Sequence, residues 1–125
     1  MITSREIETA VCQGIRCFEQ ESRGRVPKDI RVHLVGDLLV VRLEGVLTTA
    51  EQQLAKSSPL GRGRDLLKEM RAHLIETAKP LLQTMIQGIT GVKVVSLHHD
   101  ISTVTGEAVI LFTLAESLFG KAKKQ

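Results

Sequence analysis

The chain predicts an α+β fold. Two helix-strand-strand units build a two-layer sandwich, with helices over a four-stranded, mostly antiparallel sheet and one long, kinked helix among them. Three observations point there. Apolar residues recur at helical spacing near the start and again in the middle of the 125 residues. After each helical stretch come two short runs rich in Val, Ile and Leu with turn residues between them. The resulting order of helix, hairpin, helices and hairpin suits helices gathered on one face of an antiparallel sheet.

The first helix spans about Thr3 to Ser22, with Ile7, Val11, Ile15 and Phe18 on one stripe. Gly24 ends it and Pro27 prevents its continuation. Ile30, Val32 and Leu34 then alternate with Arg31 and His33, and Leu38 to Val46 forms a second strand; Gly36-Asp37 supplies the turn between them. Thr48 and Glu51 make a capping box that opens a short helix through about Lys56. Ser57 to Gly63, with Pro59 and two glycines, is expected to be a flexible link.

A long helix follows from about Arg64 to Gly88, with two apolar stripes. Leu67, Met70, Leu74, Leu81 and Met85 form one; Leu66, Ile75, Leu82, Ile86 and Ile89 form the other. Two stripes predict burial on more than one side, or pairing with another chain. Pro80 inside the helix predicts a kink, because it removes a backbone donor and crowds the preceding turn. Gly91 precedes the second pair of strands, about Val92 to Ile101 and Glu107 to Leu114, joined by the turn Ser102 to Gly106. A short helix or tail closes the chain. Residues 1–119 read as one domain and 120–125 as a flexible basic tail.

Strand alternation assigns faces. Val95, Leu97, Ile101, Ile110, Phe112 and Leu114 are expected to face the helices. The other face receives Val94, Ser96, His98, Asp100, Val109, Leu111 and Thr113, with Val35, Val40 and Arg42 from the first hairpin. That face is too apolar to be simply wet, and predicts a homo-oligomer, most simply a dimer.

Composition narrows the function classes. Hydrophobic residues are 42% and charged residues 25%, ordinary values for a globular domain, but three Phe are the whole aromatic complement. The core must therefore be aliphatic. The net charge of +3 is mildly basic, with clusters at Arg23, Arg25, Lys28 and Arg31 and at Arg62, Arg64, Lys68 and Arg71. Such clusters attract phosphates or acidic partners, or simply solvate the surface. A nucleic-acid-binding module using them is one alternative, weakened because single-strand readers stack bases on aromatic rings. Cys12 and Cys17, five apart in a helix, point to different faces and predict reduced thiols rather than a disulfide. No run of eighteen apolar residues offers a membrane span.

Polar chemistry is densest from Ser96 to Glu107. His98 and Asp100 share a strand face there and His99 points the other way, toward the core. His-x-Asp begins a facial triad for iron, but no histidine follows His99 to complete it. The serines lack the Gly-x-Ser-x-Gly elbow of a hydrolase. Gly61-Arg62-Gly63-Arg64 enters a helix N-terminus but has no Walker spacing. A small enzyme or metal-binding protein using His98 and Asp100 is the second alternative. The simplest reading of the segment is a hydrogen-bonded turn, with Gly106 free to take positive φ.

Three segments carry a family resemblance. The first is Val35-Gly36-Asp37 running into Val41-Arg42-Leu43-Glu44-Gly45-Val46-Leu47-Thr48, with Glu51 and Leu54-Ala55-Lys56. The second is Gly63-Arg64 with Leu67-Lys68-Glu69 and Arg71. The third is Thr90-Gly91-Val92-Lys93-Val94-Val95-Ser96 through Asp100-Ile101-Ser102-Thr103 and Thr105-Gly106-Glu107. Together they resemble the MpsC family of small bacterial domains. The match runs from the first helix to Leu114, and Leu-Thr-x-x-Glu and Asp-Ile-Ser-Thr-x-Thr-Gly-Glu are its most specific parts.

The resemblance implies an accessory component of a sodium-linked system that generates membrane potential and is associated with uptake of dissolved inorganic carbon. It implies integral membrane partners that are separate proteins, and it transfers no catalytic residue. The expected protein is a cytoplasmic, non-catalytic module, peripheral to the inner membrane through a partner, with no cofactor, no metal and no catalytic residue assigned. If it senses a small anion such as bicarbonate, the candidate ligands are Arg42, Thr48, Thr49, His98, Asp100, Ser102 and Thr103. Arg42 would supply charge, the hydroxyls hydrogen bonds, and His98 a donor that titrates near neutrality.

Overall fold

The computed structural model describes residues 3–57 and 61–119. Helix α1 (Ser4–Arg23) begins at a capping box: the Glu6 amide donates to Thr3 Oγ1, and the Thr3 amide donates back to Glu6. It ends where Gly24 takes φ 77° and donates its N–H to the Gln20 carbonyl. The first hairpin is β1 (Asp29–Val35) and β2 (Leu38–Glu44). Thr48 caps α2 (Thr49–Ser57) as expected, with reciprocal bonds between the Thr48 and Glu51 amides and side chains. Helix α3 (Arg62–Thr90) is followed by β3 (Val94–Ile101) and β4 (Ala108–Leu114).

The sheet runs in the order β1-β2-β4-β3, and every pairing is antiparallel. The predicted class of helices over a four-stranded sheet therefore holds. Helices α1 and α3 lie on the same side, α1 over β1 and α3 over β3, with α2 against α3. Between the layers Ile7, Val11 and Ile15 of α1 and Ile75, Leu82 and Ile86 of α3 meet Leu39, Val41, Leu43, Ile110 and Phe112 of the central strands. All are essentially excluded from solvent, and each such side chain contributes on the order of 2 kcal/mol of burial free energy.

Several expectations need correction or limits. A β-bulge between Val94 and Ser96 slips the alternation by one residue, so Val94 packs against the core and Val95 is 64% exposed. Both stripes of α3 reach the core in part: Leu67, Ile75, Leu82 and Ile86 are buried and Leu74, Met85 and Ile89 are half-buried against it, while Leu66, Met70 and Leu81 stay exposed. Helix α3 continues through the exposed Pro80, which has no N–H to give to the preceding turn. Residues 115–119 form bends rather than a closing helix. The middle of the expected flexible link, 58–60, and the basic tail 120–125 lie outside the described residues.

One buried feature escaped sequence reasoning. Glu19 of α1 and Arg71 of α3 sit in the apolar stripes, 1% and 2% exposed, with Arg71 Nη2 2.9 Å from Glu19 Oε2. Neither Arg71 Nη atom nor that oxygen meets hydrogen-bond geometry, so proximity of charge rather than an aligned N–H···O bond couples them.

Candidate functional site

An open cleft of about 780 Å³ lies at one end of the sheet, and three local structures shape it. First, alternation along β2 turns Leu39, Val41 and Leu43 inward and leaves Val40, Arg42 and Glu44 on the open face. Second, the chain leaves β2 through Gly45, at φ 69°, and a Cβ there would stand 2.6 Å from the Lys28 Cβ. That close approach holds the α1–β1 connection, with Arg25 and Lys28, against the end of β2. Third, the Val46 amide donates to the Gly106 carbonyl, joining the entry to α2 to the β3–β4 turn.

The lining follows from those three contacts. Arg25, Lys28, Arg42, Glu44, Gly45, Thr49, Gln52, Thr105 and Glu107 face the cleft, three cations against two carboxylates. Arg25 Nη1 donates to the carbonyls of Gly45 and Val46 at 3.2 and 2.7 Å. Arg42 Nε donates to Glu107 Oε2 at 2.8 Å, its Nη2 donates to the same oxygen, and Glu44 Oε2 lies 3.8 Å from that Nη2. Arg42 thus bridges two carboxylates that would otherwise repel. The hydrogen bond to Glu107 first, and the Glu107 charge second, raise the pKa of the guanidinium above its ordinary value. The pair is two-fifths exposed, so solvent can reach and exchange it.

Behind the cleft, Arg23 Nη2 grips both Glu51 carboxylate oxygens at 2.9 and 3.1 Å, tying α1 to the first turn of α2. Burial pushes the Glu51 carboxyl up, but the Thr48 backbone bond and then the Arg23 charge outweigh it and hold the carboxyl below its ordinary range. The start of α2 is thereby fixed in place, with Thr49 at the cleft.

The seven candidate ligands divide. Arg42 and Thr49 line the large cleft. Asp100 and Ser102 line a smaller one of about 200 Å³ beside it, and Glu107 forms part of both walls. The Thr48 hydroxyl is committed to the helix cap. Thr103 is 9% exposed within the β3–β4 turn, lining neither cleft. His98 stands on the open sheet face opposite Leu111, also away from both. Asp100 Oδ1 takes bonds from Lys68 Nζ at 2.9 Å and the Ile101 amide at 2.8 Å; these, Lys68 first, lower its pKa. The turn itself is closed by bonds from the Gly106 amide to the Ser102 carbonyl and from the Thr105 amide to Ser102 Oγ.

His99 points inward as expected, its Nε2 3.2 Å from Glu76 Oε2 of α3. Among the described residues, no three His, Cys, Asp or Glu side chains come together as a cation would need, so His98 and Asp100 gain no third ligand from the fold. Five of the eight residues in the two basic clusters are ion-paired within the chain: Arg23 with Glu51, Arg31 with Asp29, Arg64 with Asp65, Lys68 with Asp100 and Arg71 with Glu19. Sequence reasoning placed Arg25 and Lys28 in a basic cluster but missed Gln52, Thr105 and Glu107 as wall residues. Only the register of β2 with β4, which sets Leu43 opposite Ala108, puts Glu107 beside Arg42.

No helix among the described residues is long and apolar enough to cross a membrane. Comparison with known proteins agrees with the resemblance carried by the sequence. The chain is 34% identical over 112 residues to "Uncharacterized protein YbcI" of Bacillus subtilis (strain 168), covering 90% of this chain and 88% of that one. No solved structure matches. The model of the family described as "Na+-translocating membrane potential-generating system (MpsC)" matches residues 3–116, and the chain belongs to that family.

Proposed function

We propose that this protein is a non-catalytic accessory component of a sodium-linked membrane system, docking on a membrane protein and reading a small anion, with bicarbonate the first candidate, in the cleft at Arg42. Family membership supports the system-level half of this reading. The observation that carries the ligand half is the Arg42–Glu107 pair at the cleft wall, solvent-reachable and flanked by Arg25 and Lys28. A planar oxyanion matches the guanidinium fork and competes with the single Glu107 oxygen that Arg42 now uses. Lys28 and the hydroxyls of Thr49 and Thr105 supply further donors on the same walls. Binding would release Glu107 from Arg42, and Glu107 opens the β4 side of the turn that carries Asp100 to Thr105. That is a route from an anion to a surface a partner reads.

Calorimetric titration with bicarbonate, phosphate and nucleotides tests the ligand half. We expect saturable heat with a small oxyanion and at least about tenfold weaker binding in Arg42→Met, since a charge-assisted bidentate contact is lost. No heat and no thermal shift with any of these anions would sink it. Recovery of a membrane protein when the tagged chain is purified from native membranes tests the docking half, and a partner-free preparation would count against it.

A further inference from the structure

Helices cover one face of the sheet, and among the described residues no helix packs on the other. The strand register orders that bare face into three rows across β1, β2, β4 and β3. The first is Arg31, Arg42, Val109, Asp100; the second is His33, Val40, Leu111, His98; the third is Val35, Leu38, Thr113, Ser96. Val40, Leu111 and Val109 make the middle of the face apolar; Arg31 and Asp100 stand at its two edges, where Val35 is 63% exposed, and the inner-strand charge, Arg42, is turned to Glu107 and Glu44 at the cleft end. An apolar centre with a polar rim is the anatomy of a protein interface.

We propose that two copies of this chain meet through this face, related by a two-fold axis that runs along the strands between β2 and β4. That axis lays β1 over the partner's β3 and β2 over the partner's β4 while keeping each row over itself. Arg31 then faces the partner's Asp100, and by symmetry the pair forms twice. Val40 and Leu111 face the partner's Leu111 and Val40, and Leu38 covers the partner's Thr113. A two-fold axis across the strands instead sets the first row on the third, leaving Arg31 on Val35 and Asp100 on Ser96 with no charge matched. Charge complementarity therefore selects the axis along the strands.

The groups are free to make these contacts. Arg31 uses Nε for Asp29, and among the described residues neither Nη has a hydrogen-bond partner, on a side chain 54% exposed. The bonds from Lys68 and the Ile101 amide both fall on Asp100 Oδ1, so Oδ2 remains, on a side chain 74% exposed. Strands of seven to eight residues give a face about 24 Å long and four strands make it about 19 Å wide. Two such faces cover on the order of 900 Å² in projection, below the about 1,200 Å² of a standard stable interface and in the range of weak, reversible ones, so the dimer is expected to be concentration-dependent.

Sedimentation equilibrium of the full chain across about 1 to 500 µM tests the proposal. Each chain is 13.8 kDa, and we expect a concentration-dependent shift to twice that mass. Arg31→Asp and Asp100→Arg each place like charges in both edge contacts, and each is expected to weaken self-association about tenfold or more. Mixed one to one, the two variants restore both ion pairs in the heterodimer, and dimer mass returns. Leu111→Asp, checked for fold by circular dichroism, removes the dimer whether or not the edges pair. A wild-type monomer at the highest concentration overturns the proposal and leaves the face to a different protein. Variants that dimerise as well as wild type, or a mixture that stays monomeric, overturn the axis.

Discussion

Replacing Glu19 with alanine strands the Arg71 guanidinium inside the protein. Arg71 is 2% exposed, its nearest counter-charge is Glu19 Oε2 at 2.9 Å, and both of its Nη groups lack a well-aligned acceptor. Removing one partner of a buried pair costs about 3–5 kcal/mol, because the remaining charge stays desolvated without compensation. A domain of this length is stable by only about 6–15 kcal/mol, so Glu19→Ala removes a large part of the margin. With unfolding entropy near 2.1 cal/mol/K per residue, about 4 kcal/mol corresponds to a fall in Tm of about 15 °C.

The double variant Glu19→Leu with Arg71→Met takes the opposite direction. Because no aligned hydrogen bonds add to the Coulomb attraction of the pair, that attraction alone must offset desolvation, and two apolar side chains in its place are expected to match or exceed wild-type stability. Urea denaturation of wild type, both single variants and the double variant measures all four corners of the cycle. The single variants should lose stability by more than about 3 kcal/mol with unchanged m, and the double variant should recover it. A Glu19→Ala cost below about 1 kcal/mol, or a double variant as damaged as the singles combined, would refute the buried-pair account.

Two further outcomes follow from the same framework. Glu51 is held below its ordinary value of 4.5, so its contribution is complete above about pH 5 and is lost as pH falls through the folded value. Glu51→Gln keeps the cap but loses the Arg23 charge pair, so a stability gap of about 1 kcal/mol should hold from about pH 8 to 5 and narrow in acid; a gap that widens there contradicts the sign. Gly45→Ala meets both a left-handed φ of 69° and the Lys28 Cβ at 2.6 Å, whereas Gly24→Ala meets φ 77° and nothing within 4 Å. Thermal melts should therefore show about 1 kcal/mol lost at Gly24 and clearly more at Gly45, and equal losses would mean that the close approach to Lys28 carries no energy.

Much of this architecture is legible in local pattern. Ile7, Val11, Ile15 and Phe18 mark the buried stripe of α1, and Thr48 with Glu51 marks the start of α2, because helical period and capping are short-range. The errors arise where a single residue changes phase or a charge replaces an apolar side chain. The bulge at Val95 reverses the faces of Val94 and Val95, and strict alternation has no sign of it. Arg71 stands four residues from both Leu67 and Ile75, and Glu19 four from Ile15, so two charges at core positions of two helices were a visible signal of a buried pair. The cleft was harder to see. Arg42 and Glu107 are 65 residues apart in sequence and meet only through the pairing of β2 with β4. His98 and Asp100 drew attention as a close pair, yet the fold spreads them over an open sheet face and gathers the cations at the end of β2.

The claim that the cleft at Arg42 reads a small oxyanion is tested most directly by amide chemical shifts in a bicarbonate titration at constant pH and ionic strength. Oxyanion binding at Arg42 gives saturable changes confined to Gly45, Thr49, Gln52, Thr105 and Glu107, and their loss in Arg42→Met. No change up to tens of millimolar bicarbonate, or changes centred on the Gly36 end of the sheet, would contradict it.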